Sequence, residues 1–71
     1  MQSVNIEIGG MSCGHCVASV RKALETVDGA RVDHVEVGTA TASYDPAVTS
    51  IDALESAIRG AGYEVAGSSP L

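Results

Sequence analysis

Cys13 and Cys16 stand three positions apart in Gly10-Met11-Ser12-Cys13-Gly14-His15-Cys16, and they are the only cysteines among 71 residues. Thiolates are soft donors that select Cu(I), zinc and iron–sulfur clusters. Structural zinc takes four ligands and catalytic zinc usually three plus water. Two cysteines flanked by Ser12 and Gly14, with no carboxylate beside them, complete neither set. Cu(I) tolerates two soft ligands, so the ligand count favours a cuprous ion. A site with so few ligands also suits hand-over. A partner's cysteine can approach the ion, form a three-coordinate shared state, and take over as one donor leaves.

Neighbouring side chains carry two meanings each. His15 is either an extra or intermolecular ligand or an exposed loop residue, since His is common in both places. Met11 offers a thioether, but methionine often fills irregular core gaps, and the core role is preferred. Tyr63 can tune access to the loop, close the core, or do both, having an apolar face and a polar tip. Lys22 can help dock a partner, although a single lysine on a helix is usually just solvated. His34 as third ligand of a partial zinc finger is discounted, because it alternates with Val35 and belongs on the solvent side.

These residues need a scaffold. Val4, Ile6 and Ile8 alternate with Ser3, Asn5 and Glu7, predicting a half-buried strand that Gly9-Gly10 ends. From about Gly14 to Val27, the apolar residues Val17, Val20, Leu24 and Val27 recur at helical spacing, and Asp28-Gly29 stops the helix. Val35 and Val37 alternate with His34 and Glu36 in a second strand. Ala40, Ala42 and Tyr44 mark a third, joined to it by a hairpin around Gly38. Thr49 or Ser50 caps a second helix whose buried face is Ile51, Leu54, Ala57 and Ile58. Gly60 and Gly62 end that helix, and Tyr63 to Val65 form a short last strand. The expected domain is 1–66, with 67–71 (Gly-Ser-Ser-Pro-Leu) a flexible tail.

The order β-α-β-β-α-β predicts an α+β, ferredoxin-like sandwich: a four-stranded antiparallel sheet with two helices on one face. The cysteines then fall in a loop and in the first turn of a helix. Unpaired N–H groups and the positive dipole end there favour thiolate, and they partly offset the net −1 charge of two thiolates on one cuprous ion.

Composition narrows the function. Hydrophobic residues make up 45% of the chain with no Trp or Phe, so the core is built from Val, Ile, Leu and Ala. Net charge is −5 and the only cations are Arg21, Lys22, Arg31 and Arg59. So few cannot neutralise a run of phosphates, which excludes nucleic acid and favours a basic or mixed protein partner. Met1 leads straight into the first strand, without a basic start and apolar run. No apolar stretch approaches the roughly 20 residues of a membrane span. A cytoplasmic protein with no direct membrane insertion is therefore expected, in a compartment where paired thiols bind metal or act in catalysis. A thiol–disulfide oxidoreductase is the alternative from another class. The thioredoxin-like fold is longer, however, and usually has aromatic residues beside the motif, which this chain lacks.

The Gly10–Cys16 motif, the element order and Gly62-Tyr63 together resemble the heavy-metal-associated domains from Val4 to Val65, most of all the bacterial copper chaperones among them. The resemblance implies that Cys13 and Cys16 bind Cu(I), that Met11 packs beneath the loop, and that Tyr63 lies near it. It also implies a non-enzymatic carrier that passes copper to the metal-binding domain of a copper-transporting P-type ATPase. Zinc-handling relatives often carry Asp where this chain has Ser12, and mercury-binding periplasmic relatives carry an export signal. The same domain occurs as the N-terminal module of such ATPases. Exposed thiolates could also be bridged by copper into a homodimer or larger cluster.

Overall fold

The computed structural model describes residues 2–10 and 14–71. The elements are β1 Gln2–Gly9, α1 Gly14–Glu25, β2 Ala30–Glu36, β3 Thr39–Tyr44, α2 Ile51–Gly60 and β4 Glu64–Pro70. The strands form one antiparallel sheet in the order β2-β3-β1-β4, so β1 is flanked on both sides and its neighbours come from distant parts of the chain. The ferredoxin-like arrangement expected from the periodicity is the one observed.

Alternation on β1 places Val4, Ile6 and Ile8 in the core, with Ala40, Ala42 and Tyr44 beside them on β3. Val20 and Leu24 of α1 and Leu54 and Ile58 of α2 join that same cluster, so both helices cover one face of the sheet. On the other face polar side chains bond across strands. Thr39 Oγ1 donates to Asn5 Oδ1 (2.7 Å), and Ser43 Oγ donates to Asp33 Oδ2 (2.7 Å).

Helix α1 stops two residues earlier than the apolar spacing suggests. Thr26 and Val27 N–H groups bond back three residues, to Ala23 and Leu24, and the Thr26 hydroxyl donates to Ala23 O at 2.6 Å. That tight turn still delivers Val27 to the core edge. Ser50 is the N-cap of α2, as expected, but its side chain makes no capping bond. Its carbonyl instead accepts from Ala53 and Leu54.

Two expectations change. Val37 does not share the core with Val35: Val35 is 7% exposed and Val37 54%. The β2–β3 register shifts between Val32 and His34, so Val32 and Val35, three apart, both face inward, and Val37 falls in the hairpin turn. The last strand is also longer than Tyr63 to Val65. Residues 67–70, expected as a tail, pair with β1 as Glu7↔Gly67, Ile6↔Ser68, Asn5↔Ser69 and Val4↔Pro70. Leu71 N–H then donates to Ser3 O at 2.9 Å. Gly, Ser and Pro carry little strand preference of their own; the open edge of β1 supplies the partner.

Candidate metal-binding site

Four chain segments converge where β1 ends. Ile8 and Gly9 pair with Val65 and Glu64 of β4, on the far side of a register shift between Glu7 and Ile8. The Ile8 N–H donates to Gly38 O (2.9 Å), which brings the β2–β3 hairpin tip to the same place. Gly10 leaves the strand with φ +85°, and α1 begins at Gly14. Between them Met11, Ser12 and Cys13 lie outside the described residues, so the placement expected for Cys13 and Met11 stands as a proposal.

His15 and Cys16 belong to the first turn of α1, His15 exposed and Cys16 half-buried. Cys16 precedes Val17, which packs on the core edge, and sits one turn before fully buried Val20. Its position in the turn is therefore anchored by the helix's apolar face, while the side chain keeps contact with solvent. No acidic residue occupies this first turn, whereas α2 follows the usual dipole pattern with Asp52 first and Arg59 last.

Tyr63 arrives by a different route. Beyond the last helical residue of α2, Gly62 N–H bonds to Arg59 O (3.0 Å) and Tyr63 N–H to Ile58 O (3.3 Å). With Gly62 at φ +97°, this is a Schellman closure, and it ties the Tyr63 backbone to the end of α2. The half-buried ring packs against the core, and a methyl group placed on Gly10 would lie 4.0 Å from Tyr63 Cδ1. The ring thus lines the root of the loop that carries the cysteines.

His34, weighed as a third ligand, is on the edge strand with its ring in solvent, its Nε2 3.5 Å from Glu36 Oε2. Among the described residues no three His, Cys, Asp or Glu side chains gather into a cage. Two neighbours of the site escaped the sequence. Gly38 meets β1, and Glu64 lies opposite Gly9, its Oε2 3.6 Å from where a side chain on Gly9 would begin. Both depend on register between distant strands, for which no local pattern exists.

The heavy-metal-associated domain model matches residues 5–64, and the chain belongs to that family. Among its relatives is a copper-transporting ATPase 2 of Rhizobium meliloti (strain 1021), 42% identical over 67 residues. That match takes in 92% of this chain but only 8% of the ATPase. The copper chaperone CopZ of Bacillus subtilis (strain 168) is 35% identical over 68 residues, covering 93% of this chain and 99% of CopZ. A solved CopZ metallochaperone superposes with a TM-score of 0.80 at 34% identity, over 89% of this chain and 97% of that one. No described helix is long and apolar enough to cross a membrane.

Proposed function

We propose that this chain is a copper carrier: Cys13 and Cys16 hold one Cu(I) and release it by ligand exchange to a like-folded metal-binding domain of a copper-transporting P-type ATPase. The observation that carries the proposal is Cys16, half-exposed in the first turn of α1 and held there by the buried face of the helix. The unpaired N–H groups of a helix start stabilise a thiolate, and the absence of acid in that turn leaves this effect unopposed. Cys13 supplies the second thiolate. An incoming thiolate adds to the exposed ion, one Cu–S bond forms as another breaks, and the oxidation state does not change. In this reading His15, exposed beside Cys16, is an auxiliary donor, and Tyr63, near Gly10, restricts solvent.

Support also comes from the family and from two copper-named relatives matched along nearly all of this chain. The carrier turns nothing over and works in the cytoplasm, where its thiols stay reduced. A second version of the proposal has the same chemistry in a different setting. The 42% identity to one small part of an ATPase fits a metal-binding module of such a pump equally well.

Anaerobic competition between Cu(I) and Zn(II), with ions per chain counted by mass spectrometry, tests the assignment. One cuprous ion per chain, displaced by no excess of zinc and lost in Cys13→Ser and Cys16→Ser, is expected. Preferred zinc with a third protein ligand, or turnover in an insulin-reduction assay, overturns it.

A further inference from the structure

A bulge divides the ladder between β1 and β4. Adjacent Glu7 and Ile8 stand opposite Gly67 and Val65, so Ala66 is an extra residue without a partner on β1. The two sides of the bulge are held differently. Before it, Tyr63 and Val65 pack against the core, and Tyr63 N–H is bonded to Ile58 O (3.3 Å). After it, none of residues 67–71 belongs to the buried cluster or to the apolar side chains packed on it, and 68–71 are exposed. What holds them is polar. Leu71 N–H donates to Ser3 O (2.9 Å), and antiparallel alternation turns the N–H groups of Ser69 and Gly67 toward β1 as well. Pro70 falls where an N–H would point to solvent, a position that tolerates its missing donor. Ser68, opposite inward-facing Ile6, lies on the helix side of the sheet, where its hydroxyl donates to Glu55 Oε2 (2.9 Å). Glu55 Oε1 is in turn 3.4 Å from Arg59 Nη2.

We infer that residues 67–71 form a strap that opens as one unit, latched by the Ser68–Glu55 bond, and that the bulge at Ala66 keeps this opening from reaching the cysteine end of the domain. Segments with few apolar contacts and solvent-exposed hydrogen bonds open first, and the strap has both properties. The segment before the bulge is anchored by Val65 and Tyr63, and the ladder is already interrupted between them and the strap. On the other edge of β1, Val4 and Ile6 pair with Ala42 and Ala40 of β3, and all four are fully buried. Strand β1 therefore stays in the sheet when the strap leaves. The consequence is a chain segment that can be moved or bound, uncovering one edge of β1, while the cysteine loop is undisturbed. None of this requires a particular ion at the cysteines. A fraying terminus loosens residue by residue, whereas a strap opens with one equilibrium constant at all its amides.

Hydrogen exchange of the full metal-free chain, read amide by amide by NMR, separates the two. Gly67, Ser69 and Leu71 should share one protection factor within about threefold, with Ile8 and Tyr63 at least about tenfold more protected. Ser68→Ala removes the donor of the latch. It should lower protection at all three strap amides by one common factor, about three- to tenfold for a single hydrogen bond, and leave Ile8 and Tyr63 unchanged. Glu55→Ala removes the acceptor on α2 and should reproduce the loss in the strap. Protection that declines steadily from Gly67 to Leu71 overturns the single unit, and strap amides unmoved by either variant overturn the latch. An equal loss at Ile8 and Tyr63 in Ser68→Ala overturns the insulation by the bulge. Retention of Cu(I) against a chelator should be the same in Ser68→Ala as in wild type, and weaker retention overturns the insulation as well. A wild-type chain that never loads Cu(I) refutes the carrier proposal alone, since the exchange comparison needs no metal.

Discussion

Gly10 and Gly29 adopt nearly the same left-handed backbone, φ +85° and +81°, but in different surroundings. Among the described residues, an alanine methyl at Gly10 would meet only Tyr63 Cδ1, at 4.0 Å, an ordinary contact. At Gly29 it would lie 2.7 Å from Val48 Cγ1 and 2.8 Å from Val48 Cβ, closer than carbon atoms tolerate. Backbone strain alone costs about 1–2 kcal/mol for alanine in this region. Stiffening of the unfolded chain returns about 0.4–1 kcal/mol, the same at both sites. The clash adds a further ~1–3 kcal/mol by analogy with overpacked cores. Gly29→Ala should therefore cost about 1–3 kcal/mol more than Gly10→Ala. That is a large share of the roughly 4–10 kcal/mol expected for a domain of 71 residues. Val48 is 59% exposed, so Val48→Ala by itself should change stability by less than about 0.5 kcal/mol. The Gly29→Ala/Val48→Ala double variant loses the Cγ1 contact but keeps Val48 Cβ at 2.8 Å, so it should recover only part of the clash. Urea unfolding of the four variants, with unchanged slope, measures each quantity. Equal costs at Gly10 and Gly29, or no recovery on removing Val48, refute the steric account. Loss of copper retention should follow Gly10→Ala and not Gly29→Ala, because only Gly10 enters the cysteine loop.

Other outcomes follow from burial and register. Val35→Thr should cost about 1–3 kcal/mol by burying a hydroxyl, while Val37→Thr stays within about 0.5 kcal/mol, as thermal melts will show. Leu24→Ala and Leu54→Ala, each fully buried, should lose about 2–5 kcal/mol in urea unfolding. Deleting 67–71 removes four strand pairs and the Leu71–Ser3 bond, and should lower stability by about 1–2 kcal/mol, where a slack tail would cost nothing. Cys16→Ser should melt within about 1 kcal/mol of wild type yet bind no Cu(I), separating the site from the fold.

The bonds that place Tyr63 and Gly38 show what local patterns reach. The Gly62-Tyr63 pair at the end of an amphipathic helix already signals a closure that turns the chain. That its ring ends up beside Gly10 follows from β1 and β4 pairing, between residues more than fifty positions apart. Likewise the family likeness singles out Tyr63, but nothing near Gly38 or Glu64 announces that both flank the same end of β1.

Short-range information was enough for the elements and for the chemistry of the motif. Apolar residues two apart make Val4, Ile6 and Ile8 a strand face. Those three and four apart make Val20 with Leu24, and Leu54 with Ile58, helix faces. Thiol softness and the three-residue cysteine spacing need no fold to be recognised. Tertiary pairing alone decided the strand order, the shift at Asp33 that keeps Val35 inside while Val37 goes to the turn, and the growth of β4 through Pro70. The physical reason is the range of the forces involved. Side-chain periodicity is written into neighbouring residues, whereas a ladder of backbone hydrogen bonds depends on which strand edge the rest of the chain leaves open.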